Sequence, residues 1–305
     1  MKLFLKKSLL FLFISTLLVF LFFPIDYIYN KRVEKLTLDR NISTLICGAS
    51  HLMCALDDKI IPNSTNTCLP SESYYYTYYK LKKILYNDND LKYILLGLSF
   101  SSFGENFDNQ IYETGKISYM YPKYFLILEN REKLSLLKKN PTGLLKSIPY
   151  IFKNAFITFS KSNKYINYPF WGNFSDNENT NLSDENIKAA INRHYYNTDS
   201  DLLQDFSDIQ LEYLMKIVDL YNEKKIQLYL INAPLSNEYF SEIPEKFINH
   251  YYSIVKKLKF TKNVKILDYH NYQLPKNYFR DADHLNSYGA KIISEKIISE
   301  INDFL

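Results

Sequence analysis

The residues Thr44-Leu45-Ile46-Cys47-Gly48-Ala49-Ser50-His51 decide the fold class of this 305-residue chain. A short apolar run followed by Gly-x-Ser is typical of a buried strand that turns into a helix. Gly48 suits a tight turn in which a side chain would obstruct. A serine on such a turn exposes its hydroxyl, and helix N–H groups face the negative charge that develops beside it. We therefore interpret Ser50 as a candidate nucleophile at the end of the first strand.

A second informative stretch, Asp281-Ala282-Asp283-His284-Leu285-Asn286, lies just before the C-terminal helix. A serine hydroxyl is a weak nucleophile until a base takes its proton, and His284 is the natural base. Asp281, three residues earlier, is placed to hold the far ring nitrogen, whereas neighbouring side chains such as Asp283 usually diverge. The two stretches together predict a Ser-His-Asp triad. Taken separately, Ser50 is also compatible with a helix N-cap and His284 with a surface residue at the last helix.

Strands and helices alternate along the rest of the chain. Apolar runs at Leu91–Leu98, Ile226–Ile231 and Val264–Asp268 indicate buried strands, and helical periodicity separates them. This pattern predicts an α/β fold, a three-layer α/β/α sandwich with a mostly parallel sheet. Ligands bind at the carboxyl ends of such strands, where Ser50 and Ser99 both fall. We prefer Ser50 as the nucleophile because apolar, helix-compatible residues follow it.

The N-terminus predicts a membrane anchor. Lysines precede an apolar run from Leu9 to Ile25, which is long enough to span a hydrocarbon core of about 30 Å. No small-residue cleavage site follows, so we expect an uncleaved signal anchor in residues 1–25, although a buried helix is the alternative. The lysines favour a single pass with a cytoplasmic N-terminus and an exported remainder. Residues 26–41 then form a stalk, and residues 42–305 the α/β domain, with a capping insertion at about 100–205.

Composition excludes some classes of function. The net charge is +4 and lysines are scattered among acidic residues, so nucleic acid is not an expected partner. Cys47 belongs to the apolar strand, while Cys54 and Cys68 either pair outside the cytoplasm or remain free thiols. We find no zinc-type spacing and no Gly-rich phosphate loop, and we expect neither a metal nor an organic cofactor.

The remaining histidines are given structural roles. His51, beside Ser50, is interpreted as a packing residue or a hydrogen-bond partner near the mouth of the site. His194, His250 and His270 have no acidic residue three positions before them, and we expect them on the surface.

The two stretches resemble those of the SGNH (GDSL-like) hydrolase superfamily. Gly48-Ala49-Ser50-His51 is similar to its first block, and Asp281–Asn286 followed by Tyr288-Gly289 to its last. The resemblance covers residues 42–100 and 205–305. It is closest to the membrane-anchored branch that includes the D-alanyl transfer protein of teichoic acid modification and the alginate O-acetylation proteins. It implies that Ser50 is the nucleophile, His284 the general base and Asp281 its orienting carboxylate.

The resemblance also implies an oxyanion hole, and here the chain departs from the family pattern. The third block usually offers Gly-x-Asn-Asp, whereas this chain has Gly97-Leu98-Ser99-Phe100. The second-block glycine is replaced in the region of Ser71-Glu72-Ser73. The resemblance therefore implies an oxyanion hole formed by the Ser50 amide with Ser71 and Ser99 as substitutes.

Three functions remain open at this point. The first is an extracytoplasmic serine acyltransferase that O-acetylates a cell-surface or secreted polysaccharide, with a multi-spanning membrane acyltransferase as its partner; the resemblance implies the acyl group and the partner. The second is a glycan O-acyl esterase, because the same residues serve water as acceptor. The third is a non-catalytic membrane-anchored assembly protein with a degenerate fold, which the missing third-block asparagine favours.

Overall fold

A parallel β-sheet organises the protein. The computed structural model describes residues 2–87, 90–112, 120–161, 164–197 and 200–301. The strands are β1 Thr44–Cys47, β2 Ser64–Asn66, β3 Tyr93–Gly97, β4 Gln227–Asn232 and β5 Val264–Asp268. All neighbours pair in parallel, in the order β2-β1-β3-β4-β5. This is the flavodoxin-like doubly wound order, in which the strand order reverses between β1 and β3.

Helices surround the sheet. They are α1 Lys2–Val33, α2 Ser50–Ala55, α3 Tyr74–Asn87, α4 Asn106–Tyr112, α5 Tyr121–Tyr124, α6 Asn130–Lys139, α7 Pro141–Ser160, α8 Asp184–Tyr195, α9 Asp208–Lys224, α10 Asn237–Ser241, α11 Glu245–Leu258 and α12 Ser287–Glu300. Short 3-10 turns lie at Phe125–Ile127, Tyr165–Asn167 and Lys276–Tyr278. Between β3 and α9, the described residues form α4 to α8 and add no strand to the sheet.

Alternate strand residues point to opposite faces of the sheet. Both faces are buried, each in its own apolar cluster. Leu45 and Leu96 belong to one apolar cluster, which includes buried residues of α3, α9 and α11. Ile46 and Leu95 belong to the other, which includes α2 and α12. The predicted α/β class, with helices on both faces of a parallel sheet, is therefore confirmed.

The segment predicted as a free stalk, residues 26–41, is instead part of the folded domain. Helix α1 continues to Val33, and Tyr29, Val33 and Leu36 are buried in the main apolar cluster. Asn30 Nδ2 donates to the Leu126 carbonyl at 2.8 Å. The interpretation as a stalk overlooked the apolar residues at helical spacing, which give this segment a face to bury.

None of the helices in the described part of the chain has the length and continuous apolar character that a membrane crossing requires. The N-terminal half of α1 nevertheless carries exposed aromatic side chains, among them Phe4, Phe13, Phe20 and Phe23. The transmembrane anchor of residues 1–25 stays a prediction.

The cysteines are free and buried. The pairing of Cys54 with Cys68 is therefore not formed, and the alternative of free thiols holds. Burial raises the pKa of Cys47 to about 12 and that of Cys54 to about 11, which leaves both as unreactive thiols at neutral pH.

A fully buried ion pair joins α3 to the β2–α3 connection that carries Ser71. Lys80 Nζ contacts Glu72 Oε2 at 2.7 Å, with both side chains 0% exposed. Lys80 Nζ also donates to the Thr67 carbonyl at 2.6 Å. Burial raises the pKa of Glu72, and the charge and hydrogen bond of Lys80 oppose that rise. The pair thereby fixes the connection on both sides of Ser71.

Lys80→Met should lower the free energy of unfolding by about 3–5 kcal/mol, because Glu72 is left buried without its counter-charge. Chemical denaturation of the purified domain measures this. Lys82→Met is the matched control: the Lys82–Glu129 pair is 47% and 50% exposed, and its loss should cost less than about 1 kcal/mol. Equal losses in the two variants would contradict this assignment of the buried pair.

Candidate active site

A cavity of about 700 Å³ lies at the carboxyl ends of the strands. Its walls come from the β1–α2 turn, the β2–α3 connection, the residues after β3 and the segment before α12. The strand order reverses between β1 and β3, so the chain diverges there and leaves a crevice. The cavity is therefore where the sequence analysis expected a ligand.

The β1–α2 turn needs glycine at position 48. Gly48 has φ +130°, and a Cβ there would lie 3.1 Å from the Gly97 backbone nitrogen. This close approach of β1 and β3 requires a residue without a side chain. The turn leads directly into α2, which begins at Ser50, and Ser50 lines the cavity.

The structure brings together the three residues predicted as a triad. His284 Nε2 lies 2.8 Å from Ser50 Oγ, although 234 residues separate them along the chain. On the other side of the ring, His284 Nδ1 lies 2.8 Å from Asp281 Oδ1. The proton on Nδ1 is held by the carboxylate, so Nε2 presents its lone pair to the serine hydroxyl.

Asp281 shapes the loop as well as the ring. Its Oδ1 accepts hydrogen bonds from the backbone amides of His284 at 3.0 Å and Asp283 at 3.3 Å, while Arg280 Nε donates to Oδ2 at 3.0 Å. Burial opposes ionisation of Asp281, but the hydrogen bond and charge of His284 outweigh it and lower the pKa of the carboxyl. The carboxylate is therefore ionised at neutral pH, as stabilisation of an imidazolium requires.

We expected the Asp283 side chain to diverge from the site, but it points into the site. It is 2% exposed, and its Oδ2 lies 2.9 Å from His51 Nε2 and 3.5 Å from His284 Nδ1. Burial opposes its ionisation, but the charges of His284 and His194 and the hydrogen bond of His51 hold its pKa well below the usual range. Asp281 is nevertheless the closer partner of His284, as predicted. Asp283 is a second carboxylate beside the His284 ring.

The expected surface positions of His194 and His270 are wrong, and His250 is only partly exposed. His194 lines the cavity, and its Nδ1 lies 2.6 Å from the Tyr239 hydroxyl. His270 is buried, with Nδ1 2.7 Å from Asp268 Oδ1. His250 stacks on a phenylalanine ring with centroids 3.6 Å apart. A search for an acid three residues earlier missed these contacts because their partners lie two residues away or on other elements.

The residues predicted for the oxyanion hole line the same cavity. Ser71 has φ +58°, a left-handed conformation that favours glycine. The Ser99 hydroxyl lies 3.2 Å from the Ser101 hydroxyl and 3.0 Å from that of Ser102. The Ser99 amide donates to Ser102 Oγ at 2.8 Å, so this amide is already engaged. Ser50 and Ser71 stay the predicted backbone donors.

One group of side chains offers the atoms of a metal site. His51, Asp283 and His284 each present a ligand atom, and these atoms lie within 4.8 Å of one another. The three residues show no zinc-type spacing in the sequence because His51 comes from α2 and the other two from the loop before α12. The grouping exists only in the folded chain.

Comparisons with known proteins give distant likenesses. A protein-family model matches residues 186–305, less than half of the chain. No curated protein matches the sequence. One similar solved structure is a protein of Streptococcus pneumonia described provisionally as a platelet activating factor, with 12% identity, TM-score 0.44, and coverage of 96% of this chain and 98% of that chain. Another is a provisionally assigned acylhydrolase from Bacteroides fragilis, with 10% identity, TM-score 0.42, and coverage of 90% and 94%. Both likenesses are distant.

His194→Gln should make the protein less sensitive to acid. Burial lowers the pKa of His194 from 6.5 to about 3. Between these values the unfolded chain binds a proton that the folded chain does not, so the free energy of unfolding falls as the pH decreases through this window. Urea denaturation at a series of pH values should show a shallower decrease in His194→Gln. Tyr239→Phe keeps the titrating ring and serves as the control; identical slopes in wild type and His194→Gln would contradict the prediction.

Proposed function

We propose that this protein is a serine enzyme that acts on acyl esters through an acyl-enzyme formed on Ser50. The observation that carries the proposal is the unbroken chain from the Asp281 carboxylate through His284 to the Ser50 hydroxyl, with both heavy-atom distances 2.8 Å. These are the distances at which a general base works. Ser50, His284 and Asp281 line a cavity at the strand ends, where a substrate can reach them.

The proposed first step forms the acyl-enzyme. His284 Nε2 takes the Ser50 proton while Oγ attacks the ester carbonyl carbon, and the carbonyl electrons move to the oxygen. Asp281 stabilises the imidazolium. When the tetrahedral adduct collapses, the C–O bond to the leaving group breaks and the imidazolium gives that alkoxide its proton. The Ser50 and Ser71 backbone amides are the proposed donors to the oxyanion.

In the second step an acceptor hydroxyl attacks the acyl-enzyme. His284 takes the proton of the acceptor, the bond from Ser50 Oγ to the acyl carbon breaks, and Oγ recovers a proton from the imidazolium. If the acceptor is water, the product is a free acid. If it is a sugar hydroxyl, the product is an O-acyl glycan. The same residues serve both outcomes, and the exclusion of water decides between them.

We propose a sugar hydroxyl of a cell-surface or secreted polysaccharide as acceptor and acetyl as the acyl group, as the motif resemblance implies. The cavity volume of about 700 Å³ is within the range of about 300–1,000 Å³ that small-molecule sites occupy. A membrane acyltransferase is the proposed source of acyl groups. The esterase is the alternative, and the partition of acyl groups between water and added oligosaccharide distinguishes the two.

We also propose that the exposed apolar residues of the N-terminal half of α1 attach the protein to a membrane, which leaves the α/β domain outside the cytoplasm. The support is the apolar run Leu9–Ile25 and the lysines before it. Membrane fractionation of the full chain tests this. A variant in which Phe13, Phe20 and Phe23 are replaced by serine should move from the membrane fraction to the supernatant. Recovery of the wild-type protein in the supernatant would contradict the proposal.

Ser50→Ala should abolish covalent labelling by a fluorophosphonate probe, because this reagent reacts with an activated serine hydroxyl. Intact-protein mass spectrometry measures one adduct on the wild type and none on the variant. Ser253→Ala is the control: its exposed hydroxyl donates to the His250 carbonyl, and labelling should be unchanged. A wild type without any label would favour the non-catalytic assembly protein.

Asp281→Asn should lower kcat for a p-nitrophenyl acetate substrate by roughly 10²–10⁴-fold, since the imidazolium loses its closest carboxylate and the ring loses its tautomer control. Steady-state kinetics measure the loss. Asp283→Asn should lower kcat less, because its Oδ2 is 3.5 Å from Nδ1 rather than 2.8 Å. The reverse order of the two variants would reassign the orienting role to Asp283.

A further inference from the structure

We propose that His51, Asp283 and His284 form a binding site for a zinc-class divalent cation, and that the bound cation switches off the serine. Imidazole nitrogen and carboxylate oxygen are the ligands that Zn²⁺ prefers after thiolate. The binding itself is independent of the proposed function; the inhibition rests on it.

The spacing of the ligand atoms fits such an ion. Zinc bonds of about 2.0–2.1 Å at tetrahedral angles place neighbouring ligand atoms about 3.3 Å apart. Asp283 Oδ2 lies 2.9 Å from His51 Nε2 and 3.5 Å from His284 Nδ1. All three ligand atoms lie within 4.8 Å of one another. Side-chain movements therefore bring them to the spacing of a three-ligand site, and His284 Nδ1 exchanges its contact with Asp281 Oδ1 for the ion. Solvent supplies the remaining ligand from the cavity.

Burial of the ligand atoms favours an ion here, whereas a neighbouring positive charge opposes it. The Asp283 side chain is 2% exposed and that of His51 14%, so little water competes for the ligand atoms. Arg193 works against binding, because its Nη2 lies 3.3 Å from Asp283 Oδ1. Its side chain is 57% exposed, so the guanidinium has room to leave for solvent when a divalent cation arrives.

Metal binding is incompatible with the triad for a reason of proton position. In the working triad the His284 proton is on Nδ1, held by Asp281, and Nε2 accepts from Ser50. A cation bound to Nδ1 needs an unprotonated Nδ1 with a free lone pair, so the ring proton moves to Nε2. Nε2 then donates to Ser50 Oγ and has no lone pair with which to take the serine proton. The Nδ1–H bond is exchanged for an Nε2–H bond through solvent, no bond between heavy atoms of the protein changes, and chelation reverses the effect.

Direct titration of the full chain with zinc chloride tests the site without depending on activity. The protein carries Ser50→Ala, and a colorimetric chelator reports free Zn²⁺ by competition. We expect one tight ion per chain. His51→Gln should weaken binding by more than about tenfold, since even outer-shell partners of a metal site have effects of that size. Arg193→Gln should tighten it, because a nearby positive charge is removed.

The matched control is His250→Gln, which removes a partly exposed imidazole that stacks on Phe206, away from the three ligands. Its affinity for Zn²⁺ should equal that of the parent. Equal affinity of the His51→Gln and parent proteins, or absence of a tight ion in the parent, would overturn the proposal.

Inhibition is read separately, from ester hydrolysis and fluorophosphonate labelling of the Ser50 protein with zinc chloride and then with EDTA. Both should fall as the site fills, should recover with EDTA, and should resist zinc in His51→Gln. Full turnover at saturating Zn²⁺ would overturn the switch. If the protein binds Zn²⁺ through His51 but shows neither hydrolysis nor labelling after EDTA, the proposed function fails and the metal site stands.

Discussion

The arrangement of the site depends on one carboxylate oxygen, Asp281 Oδ1. It accepts from His284 Nδ1 at 2.8 Å and from the His284 amide at 3.0 Å. The same atom therefore folds the loop and orients the ring that the loop carries. A hydrogen bond to an ionised acceptor is stronger than one between neutral groups, which suits a loop that must hold its geometry against the pull of a substrate. The Asp281 side chain is 30% exposed and that of His284 9%, so the contact is only partly screened by water.

The sheet supplies the second half of the arrangement. Ser50 is carried by the turn after β1, and the His284 loop precedes α12, which packs with α2 in the smaller apolar cluster. Ile46 and Leu52 on one side and Ile293 and Ile297 on the other belong to that cluster. Packing of these apolar side chains, together with the contact of His51 with Asp283, thus brings the hydroxyl within reach of the imidazole.

Much of this was predictable from local pattern. The strands are continuous apolar runs, and the two motifs contain Ser50, Asp281 and His284 with the spacing that their chemistry needs. The contact between Asp281 and His284 can be predicted from the sequence because the two residues are only three positions apart. Gly48 was also informative, since its positive φ and its approach to Gly97 explain a glycine in a chain with only 7.

The rest depended on contacts between distant segments. His194 is placed by Tyr239, and Asp283 is held in place by His51, so no local pattern reveals either role. Ser71 shows the same limit, because only its backbone angle reveals a left-handed conformation that favours glycine. The interpretation of residues 26–41 as a stalk differs from the structure for another reason. Polar residues dominate this segment, and the apolar stripe of Tyr29, Val33 and Leu36 among them was overlooked.

That buried stripe has a mechanical consequence. Helix α1 comprises 32 residues, about 48 Å at 1.5 Å per residue, and its last turns are locked into the domain by Tyr29 and Val33. A long helix that is fixed in the domain at one end transmits rotation and tilt, which a flexible linker does not. A structure that binds the N-terminal end of α1 therefore also sets the height and tilt of the cavity. Each residue inserted into the helix would rotate the cavity about the helix axis by about 100°.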